Sequence, residues 1–317
     1  MHVPRKRLLI AAALGASLCV ASARADDFIN ILTGGTAGVY YPLGVALSKI
    51  YADKIPGSRP SVQSTKASVE NLNLLQGGKG EIAFTLGDTL GDAWAGDAEV
   101  GFKAPLKKLR GVAAIYPNYV QLVATKESGI KTLADLKGKR LSVGAPKSGT
   151  ELNTRTILKT AGMTYKDLGK VEYLSFAESV ELMKNRQLDA TLQSAGLGVA
   201  SIRDLAATND IVVVAIPASL VSKIGAPYVS AKIPTGTYRG QDADVETAAI
   251  GNFLVTQSGV KPDLVYNMTK ALFENLGQMA AAHNAAKAIK LEDALKGMPV
   301  PLHPGAERYY REKGLIK

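Results

Sequence analysis

Residues 33–42 read TGGTAGVYYP, and this turn joins the first predicted strand to the first predicted helix. The strand is the apolar run Phe28–Leu32, and the helix is predicted over Tyr41–Ala52. The glycines leave backbone N–H groups uncovered, and Pro42 suits a first helical turn. Free N–H groups at the positive end of a helix dipole form an anion site. An ordinary strand–helix turn would contain the same glycines, whereas a dinucleotide site would need a G-x-G-x-x-G spacing that is absent here.

Two further turns also join a predicted strand to a predicted helix. Residues 64–71 read STKASVEN, with three hydroxyls in five residues, and Ser68 is predicted to cap the following helix. Capping alone would also explain these hydroxyls. Residues 144–153 read GAPKSGTELN, in which Ser148 and Glu151 predict a capping box. The lysine and hydroxyl positions of a phosphate-binding P-loop do not match, which disfavours nucleotide hydrolysis. Three such turns together predict a site for a small anion.

Short apolar strands alternate with amphipathic helices along the rest of the chain. This alternation predicts an α/β fold with mostly parallel sheets that helices cover on both faces. A boundary is predicted at Tyr116-Pro117-Asn118, between the predicted strands Leu109–Ile115 and Tyr119–Thr125. The Pro/Gly-rich stretch Ala226–Gln241 is a second candidate boundary.

Two crossings of this kind predict two lobes. Residues 26–116 and 248–317 are expected to form lobe 1, and residues 117–247 are expected to form lobe 2. A two-lobed α/β protein binds its ligand in the cleft, at the carboxyl ends of strands.

The first 25 residues have the features of a cleavable signal peptide. A basic segment at residues 5–7 precedes the apolar run Leu8–Val20, and cleavage is predicted after Ala25, with Ala23 as the competing position. The alternative is a membrane anchor, but a run of about 15 residues is shorter than the ~20 that span a bilayer. We therefore expect a periplasmic protein. The single cysteine, Cys19, lies in this leader, so the mature chain is expected to have no thiol.

The net charge limits the classes of partner. The full chain carries +10, and four of these charges belong to the predicted leader (Arg5, Lys6, Arg7 and Arg24), which leaves +6 for the mature chain. A mild positive excess suits anionic solutes, although it could serve solubility alone. No basic cluster is interleaved with aromatic residues, so no nucleic-acid partner is predicted. His283 and His303 have no ligand partners at metal spacing, so neither a metal nor a cofactor is expected.

The chain resembles the TAXI solute-binding proteins, which are the receptors of one class of TRAP (tripartite ATP-independent periplasmic) transporter. Five segments carry the resemblance: residues 34–44 (GGTAGVYYPLG), 67–72 (ASVENL), 142–151 (SVGAPKSGTE), 233–238 (IPTGTY) and 301–306 (PLHPGA). It implies a type II periplasmic-binding-protein fold and a small carboxylate ligand such as glutamate, glutamine or 2-oxoglutarate. It also implies membrane subunits that are driven by an ion gradient, and no catalytic activity.

Thirteen positions are predicted to bind the ligand, from the three turns and the resemblance together: Thr33, Gly35, Thr36, Gly38, Tyr40, Ser64, Thr65, Ser68, Asn71, Asp88, Ser148, Gly149 and Thr150. Two departures from the family leave the ligand's identity open. Leu86-Gly87-Asp88 stands where the family usually has Gln-Ser-Asp, and Gln193-Ser194-Ala195-Gly196 replaces a common Thr/Gly-Gly turn.

A sensor and an enzyme are the two functional classes that compete with transport. A periplasmic sensor that presents its ligand to a membrane kinase would have the same sequence features, and this alternative stays open. An enzyme on the same fold is disfavoured, because the mature chain has no cysteine and both mature histidines lie far in sequence from Ser148.

Overall fold

The computed structural model describes residues 27–317, so the predicted signal peptide and Cys19 lie outside the described residues. Ten strands occur in this part of the chain: β1 (Asp27–Leu32), β2 (Ser58–Gln63), β3 (Ile82–Leu86), β4 (Leu109–Thr125), β5 (Arg140–Ser142), β6 (Lys170–Glu172), β7 (Ala190–Ala195), β8 (Ile211–Val214), β9 (Val229–Ile233) and β10 (Val245–Gln257).

Ten α-helices alternate with these strands over the same residues: α1 (Tyr40–Lys54), α2 (Ser68–Gln76), α3 (Gly87–Ala95), α4 (Gly149–Thr160), α5 (Phe176–Lys184), α6 (Ala200–Thr208), α7 (Ala218–Ile224), α8 (Pro262–Glu274), α9 (Leu276–Ala282) and α10 (Pro304–Glu312). Short 3-10 helices complete the chain: Lys126–Ser128, Leu133–Leu136, Tyr165–Asp167, Asn284–Ala288 and Leu291–Asp293. No α-helix in residues 27–317 has the length and apolar character that a bilayer crossing requires.

The strands form one sheet in the order β2-β1-β3-β10-β4-β7-β5-β6, with β8 added to β4 and β9 added to β10. The pairs at the two ends are parallel: β1 pairs with β2 and β3, and β5 pairs with β6 and β7. The long strands β4 and β10 are antiparallel to each other and to their remaining neighbours. The α/β architecture is as predicted, with two parallel groups that β4 and β10 connect.

The chain continues as one strand, β4, through Tyr116-Pro117-Asn118, where two separate strands were predicted. Pro117 cannot donate to a ladder and is tolerated in a sheet at irregular positions. Such an irregularity is present, because the register between β4 and β10 shifts between Gly251 and Phe253, opposite Pro117. β10 has one residue in this interval, Asn252, whereas β4 has two, Ile115 and Tyr116, so the extra residue of the bulge lies on β4.

Four elements were missed by the sequence patterns: α3, α7, α10 and β9. Two glycines, Gly87 and Gly91, lower the helix propensity of α3, yet Leu90 and Ala93 anchor it in the core. β9 lies inside the Pro/Gly-rich stretch that was interpreted only as a boundary, and it pairs with β10 over five residues. Tertiary packing therefore decides these elements rather than local propensity.

One apolar cluster packs α1 and α8 against the β1 side of the sheet and continues to α6. It contains Leu47 and Leu272, and it also contains Ile202 and Leu205. The division into residues 26–116 plus 248–317 and residues 117–247 stays a prediction. β4 and β10 each cross one of its boundaries, and each is a single unbroken strand.

Candidate ligand-binding site

A cavity of about 130 Å³ lies where several helices begin. We call it the helix-end cavity, and its lining residues are Gly34, Gly35, Gly38, Val39, Tyr40, Thr65, Lys66, Ala67, Ser68, Leu86, Tyr116, Asn118, Ala145, Ser148, Gly149, Thr150, Ser175, Phe176, Ser194 and Ala195. They come from the starts of α1, α2, α4 and α5 with the turns before them, and from β3, β4 and β7.

Four helix N-termini reach this cavity, and each supplies backbone N–H groups that have no intrahelical partner. Ser148 and Ser175 cap α4 and α5 with their side chains. Val39 and Ala67, at the starts of α1 and α2, make no side-chain cap. The N-termini of α1 and α2 are therefore suited to a bound anion. The contribution of the α5 N-terminus to the site was not predicted. The capping box formed by Ser175 and Glu178 is the sequence signal that indicates it.

The turn before α4 depends on a glycine in the left-handed region. Gly144 has φ +99°, and a Cβ there would lie 2.7 Å from Cγ2 of Thr150. The Oγ of Ser148 accepts from the N–H of Glu151 at 3.1 Å, so Ser148 caps α4 as predicted. The second contact of the predicted capping box, from the Ser148 N–H to the Glu151 carboxylate, does not form. The Glu151 carboxylate pairs instead with Arg155 at 2.7 Å and accepts from the Tyr165 hydroxyl at 2.8 Å.

The turn before α2 has a strained backbone. Ala67 has φ 70° and ψ −144°, a conformation that is costly for any residue other than glycine. Its N–H donates to Oγ1 of Thr65 at 2.9 Å, which holds the turn. Ser68 is the first helical residue rather than the predicted cap, and its Oγ accepts from the N–H of Leu86 at 3.2 Å. Strain of this kind is typical of functional sites.

The N-terminus of α4 closely approaches α2 and the end of β3. A Cβ on Gly149 would lie 2.5 Å from Cδ1 of Leu86 and 2.8 Å from Oγ of Ser68. A second approach joins the first turn to α5, because a Cβ on Gly38 would lie 3.7 Å from the ring of Phe176. The helix-end cavity is therefore enclosed from both of the predicted lobes.

A hydrogen-bond network forms one wall of the cavity around Asn252 of β10, opposite the bulge of β4. The Tyr40 hydroxyl donates to Oδ1 of Asn252 at 2.5 Å, and Nδ2 of Asn252 donates to Oδ1 of Asn118 at 2.7 Å. Nδ2 of Asn118 donates in turn to the carbonyl of Ser194 at 3.0 Å. Burial raises the pKa of Tyr40, so its hydroxyl stays a donor. Sequence reasoning missed this network because its members come from four distant elements.

One buried hydroxyl in the wall has no partner. Tyr116 is 2% exposed, and its hydroxyl makes no hydrogen bond in the described part of the protein. Its ring edge would lie 3.2 Å from a Cβ on Gly196, next to Ala195, and its pKa is raised by burial and by the neighbouring Tyr40. Tyr116 borders both the helix-end cavity and a neighbouring cavity of about 980 Å³, whereas Tyr40 and Ala195 border the helix-end cavity and not that neighbour. We therefore place the Tyr116 hydroxyl on the side of the helix-end cavity.

Eight of the thirteen predicted residues line the helix-end cavity: Gly35, Gly38, Tyr40, Thr65, Ser68, Ser148, Gly149 and Thr150. Their role in ligand binding stays a prediction. The other five predicted residues do not line it.

Four of those five support or flank the turns. Thr33 and Asn71 are fully buried, and Nδ2 of Asn71 donates to the carbonyls of Thr33 and Phe84 at 2.7 and 2.9 Å. Thr36 and Ser64 are exposed, and Ser64 donates to the carbonyl of Gly34 at 3.0 Å. The structure therefore gives Asn71 and Thr33 a role in holding the turns in shape.

The fifth residue, Asp88, lines a larger cavity of about 980 Å³. We call it the charged groove, after its charged lining residues Asp88, Asp92, Glu99, Arg155, Lys159, Asp293 and Lys296. The Asp88 carboxylate accepts from Nδ2 of Asn153 at 2.6 Å and from the Tyr228 hydroxyl at 2.8 Å. Burial raises the pKa of Asp88, and these hydrogen bonds oppose that shift. Asp88 therefore joins residues of the two predicted lobes to each other.

The described residues contain no cluster of three His, Cys, Asp or Glu side chains that could hold a metal ion. His303 is buried and makes its own contacts, since its Nδ1 accepts from the N–H of Gly305 and its Nε2 lies 3.0 Å from the carbonyl of Val260. Burial lowers the pKa of His303, which keeps the ring neutral.

The family model described as the NMT1-like family matches residues 31–314. The chain belongs to the NMT1-like family. It is also similar to solved structures of periplasmic binding proteins, at identities that show the fold alone. PhnD1 from Prochlorococcus marinus in complex with methylphosphonate is 11% identical, with 92% of this chain and 99% of that chain covered and a TM-score of 0.59.

Two further structures agree with this fold. The alkanesulfonate-binding protein SsuA from Xanthomonas axonopodis pv. citri bound to MOPS is 15% identical, covers 93% of this chain and 96% of its own, and has a TM-score of 0.50. A putative L-cystine ABC transporter from Listeria monocytogenes is 15% identical, covers 86% and 99%, and has a TM-score of 0.51. The predicted periplasmic-binding-protein fold is therefore confirmed for this NMT1-like protein.

Proposed function

We propose that this protein is a periplasmic receptor that captures a small carboxylate and delivers it to the membrane subunits of a TRAP transporter. The observation that carries the proposal is the convergence of four helix N-termini on one enclosed cavity. Each N-terminus has a partial positive charge, and together they favour a bound anion. The predicted signal peptide supports the periplasmic location.

The position of the four helices supports binding by closure of the two predicted lobes. α1 and α2 lie in one predicted lobe, α4 and α5 in the other, and both pairs border the cavity. A ligand that contacts both lobes stabilises the closed arrangement by its differential contacts. Two of the similar structures are named as an alkanesulfonate-binding protein and as a complex with methylphosphonate, and both named compounds are small anions.

The cavity also supports a receptor rather than an enzyme. None of its described lining residues is His, Cys, Asp or Glu, so Ser148 has no carboxylate or imidazole base within the cavity. A hydroxyl needs such a base to become a nucleophile.

Transport in membrane vesicles tests the proposal. Vesicles that contain the membrane subunits of the proposed TRAP transporter should accumulate a labelled carboxylate only when the purified receptor and an ion gradient are both present. ATP should have no effect. Ligand binding without uptake would contradict the transport role and favour a sensor, and a melting temperature that no small carboxylate raises would contradict the binding role.

A further inference from the structure

The charges around the helix-end cavity are unbalanced. Lys66 is the one charged residue among its described lining residues, and no carboxylate is among them. The four helix N-termini add positive potential to that of Lys66. An ammonium group in this cavity would lose water without gaining an anionic partner, and such burial is costly. The cavity therefore favours an anion that has no ammonium group.

The number of positive groups also limits the charge of the ligand. Lys66 supplies one full charge, and its side chain is exposed enough to remain hydrated. A second carboxylate would rely on helix dipoles alone, each of which contributes ~0.3–1 kcal/mol in exposed settings. A ligand with one negative charge fits this inventory better than a dicarboxylate.

The hydroxyl of Tyr116 requires an acceptor. A buried hydroxyl without a partner costs about 1–3 kcal/mol, and a ligand oxygen can remove that cost. The neighbouring polar groups have partners, since Tyr40 donates to Asn252 and Asn118 donates to the carbonyl of Ser194. Among the described lining residues, Tyr116 is the one with a buried side-chain polar atom that makes no hydrogen bond, so its donor is free for a ligand.

The cavity volume limits the ligand to a few atoms. A buried cavity of about 150 Å³ accommodates benzene, which has six heavy atoms. The helix-end cavity, at about 130 Å³, is slightly smaller. Glutamate and 2-oxoglutarate have ten heavy atoms each, so they fit this volume less well than a ligand of six heavy atoms.

We infer that the solute is a monocarboxylate of about six heavy atoms, with an uncharged oxygen on its second carbon and no ammonium group. A short 2-oxo or 2-hydroxy acid meets these requirements. Its carboxylate lies at the helix N-termini near Lys66. The oxygen on its second carbon accepts a hydrogen bond from the Tyr116 hydroxyl. Tyr116 then determines specificity. The inference rests on the proposed function and narrows its ligand class.

Calorimetric titration with four probes separates the two requirements of the inference. Pyruvate and alanine have six heavy atoms each, and 2-oxoglutarate and glutamate have ten, so each pair differs mainly in its oxo or ammonium group. Pyruvate should bind at least tenfold more tightly than each of the other three. Equal binding of alanine would overturn the exclusion of ammonium groups, and equal or tighter binding of 2-oxoglutarate would overturn the size limit.

Two outcomes distinguish this inference from the proposed function. If none of the four probes binds but another small anion does, the inference is wrong and the receptor function survives. If no anion in a broad panel of carboxylates, sulfonates and phosphonates binds, the proposed function itself fails.

Two tyrosine variants test the role of Tyr116. Tyr116→Phe should weaken pyruvate binding about tenfold and leave propionate binding unchanged, because propionate lacks the second oxygen. Tyr51→Phe is the matched control, since Tyr51 is also fully buried with an unpartnered hydroxyl but lies away from the cavity. Unchanged pyruvate binding in Tyr116→Phe, or an equal loss for propionate, would overturn the assignment.

Discussion

The helix-end cavity and the charged groove differ in how their polar groups are satisfied. In the charged groove, Asp88 accepts hydrogen bonds from Asn153 and Tyr228, and Arg155 donates to the carbonyl of Glu99 at 3.0 Å. In the helix-end cavity, two helices begin without a side-chain cap and the Tyr116 hydroxyl has no partner. Asp88 and Arg155 of the charged groove are therefore paired within the protein, whereas the helix-end cavity contains donors that have no partner in the described residues.

Cavity size and the state of the polar groups favour different regions. The charged groove is several times larger, and its lining contains charges of both signs from both predicted lobes. Two of these charged residues, Asp88 and Arg155, contact residues of the other predicted lobe. This contrast predicts that loss of a paired side chain in the charged groove changes stability, whereas a side chain added at the helix-end cavity changes binding.

Asp88→Ala should have the largest effect on stability. The substitution leaves the Tyr228 hydroxyl and an N–H of Asn153 without their buried acceptor, which we expect to lower the free energy of unfolding by about 3 kcal/mol. Urea unfolding measures the change. Asp242→Ala, at an exposed acid, is the control and should stay within about 0.5 kcal/mol of the wild type. An unchanged unfolding midpoint for Asp88→Ala would show that this contact does not hold the lobes together.

Gly149→Ala should weaken ligand binding. The added methyl group would meet Leu86 and Ser68 in the closed arrangement, and overpacking of this kind costs about 1–3 kcal/mol. Affinity should fall by between about 5-fold and 150-fold. The control is Gly91→Ala in the charged groove, where a Cβ meets nothing within 4 Å, and calorimetry should show its affinity unchanged. Equal affinities for both variants would contradict the enclosure of the ligand by Gly149.

Ala67→Gly should stabilise the protein by about 1 kcal/mol, because glycine adopts φ 70° without strain. The comparison variant is Ala52→Gly at an exposed position of α1, which should lose about 0.5–1 kcal/mol. Thermal unfolding of the two variants should therefore shift in opposite directions. A decrease for both would mean that Ala67 stores no strain.

Asp92→Asn should have the smallest effect, and the effect should depend on pH. Burial, with Asp88 and Asp97 nearby, raises the pKa of Asp92 to about 6. Because the folded-state pKa exceeds the unfolded value of about 3.9, the wild type loses stability as the pH rises through 6.

The amide that replaces the Asp92 carboxylate cannot ionise, so the variant's relative stability should increase between pH 4 and pH 7.5. Asp92 is only partly buried, and solvent screening limits the gain to about 0.5 kcal/mol. Urea unfolding at both pH values measures it, with Asp53→Asn in α1 as the exposed control. A difference that is the same at both pH values would contradict the raised pKa.

Local patterns predicted the alternation of strands and helices and the three turns at the cavity, because glycine spacing, caps and apolar runs act over a few residues. They could not predict the continuity of β4, since Pro117 is accommodated by a bulge of β4 that forms against Asn252, far along the chain. The same limit explains Asp88, which follows β3 as expected. Its distant partners Asn153 and Tyr228 place it in the charged groove rather than at the predicted site.

Calorimetric titration of the mature protein and of Gly149→Ala with a panel of small carboxylates, sulfonates and phosphonates tests the central claim most directly. We predict one-to-one binding of at least one anion to the wild type, and binding at least fivefold weaker in the variant. Binding of no anion, or binding that Gly149→Ala leaves unchanged, would contradict the claim that the helix-end cavity holds the solute.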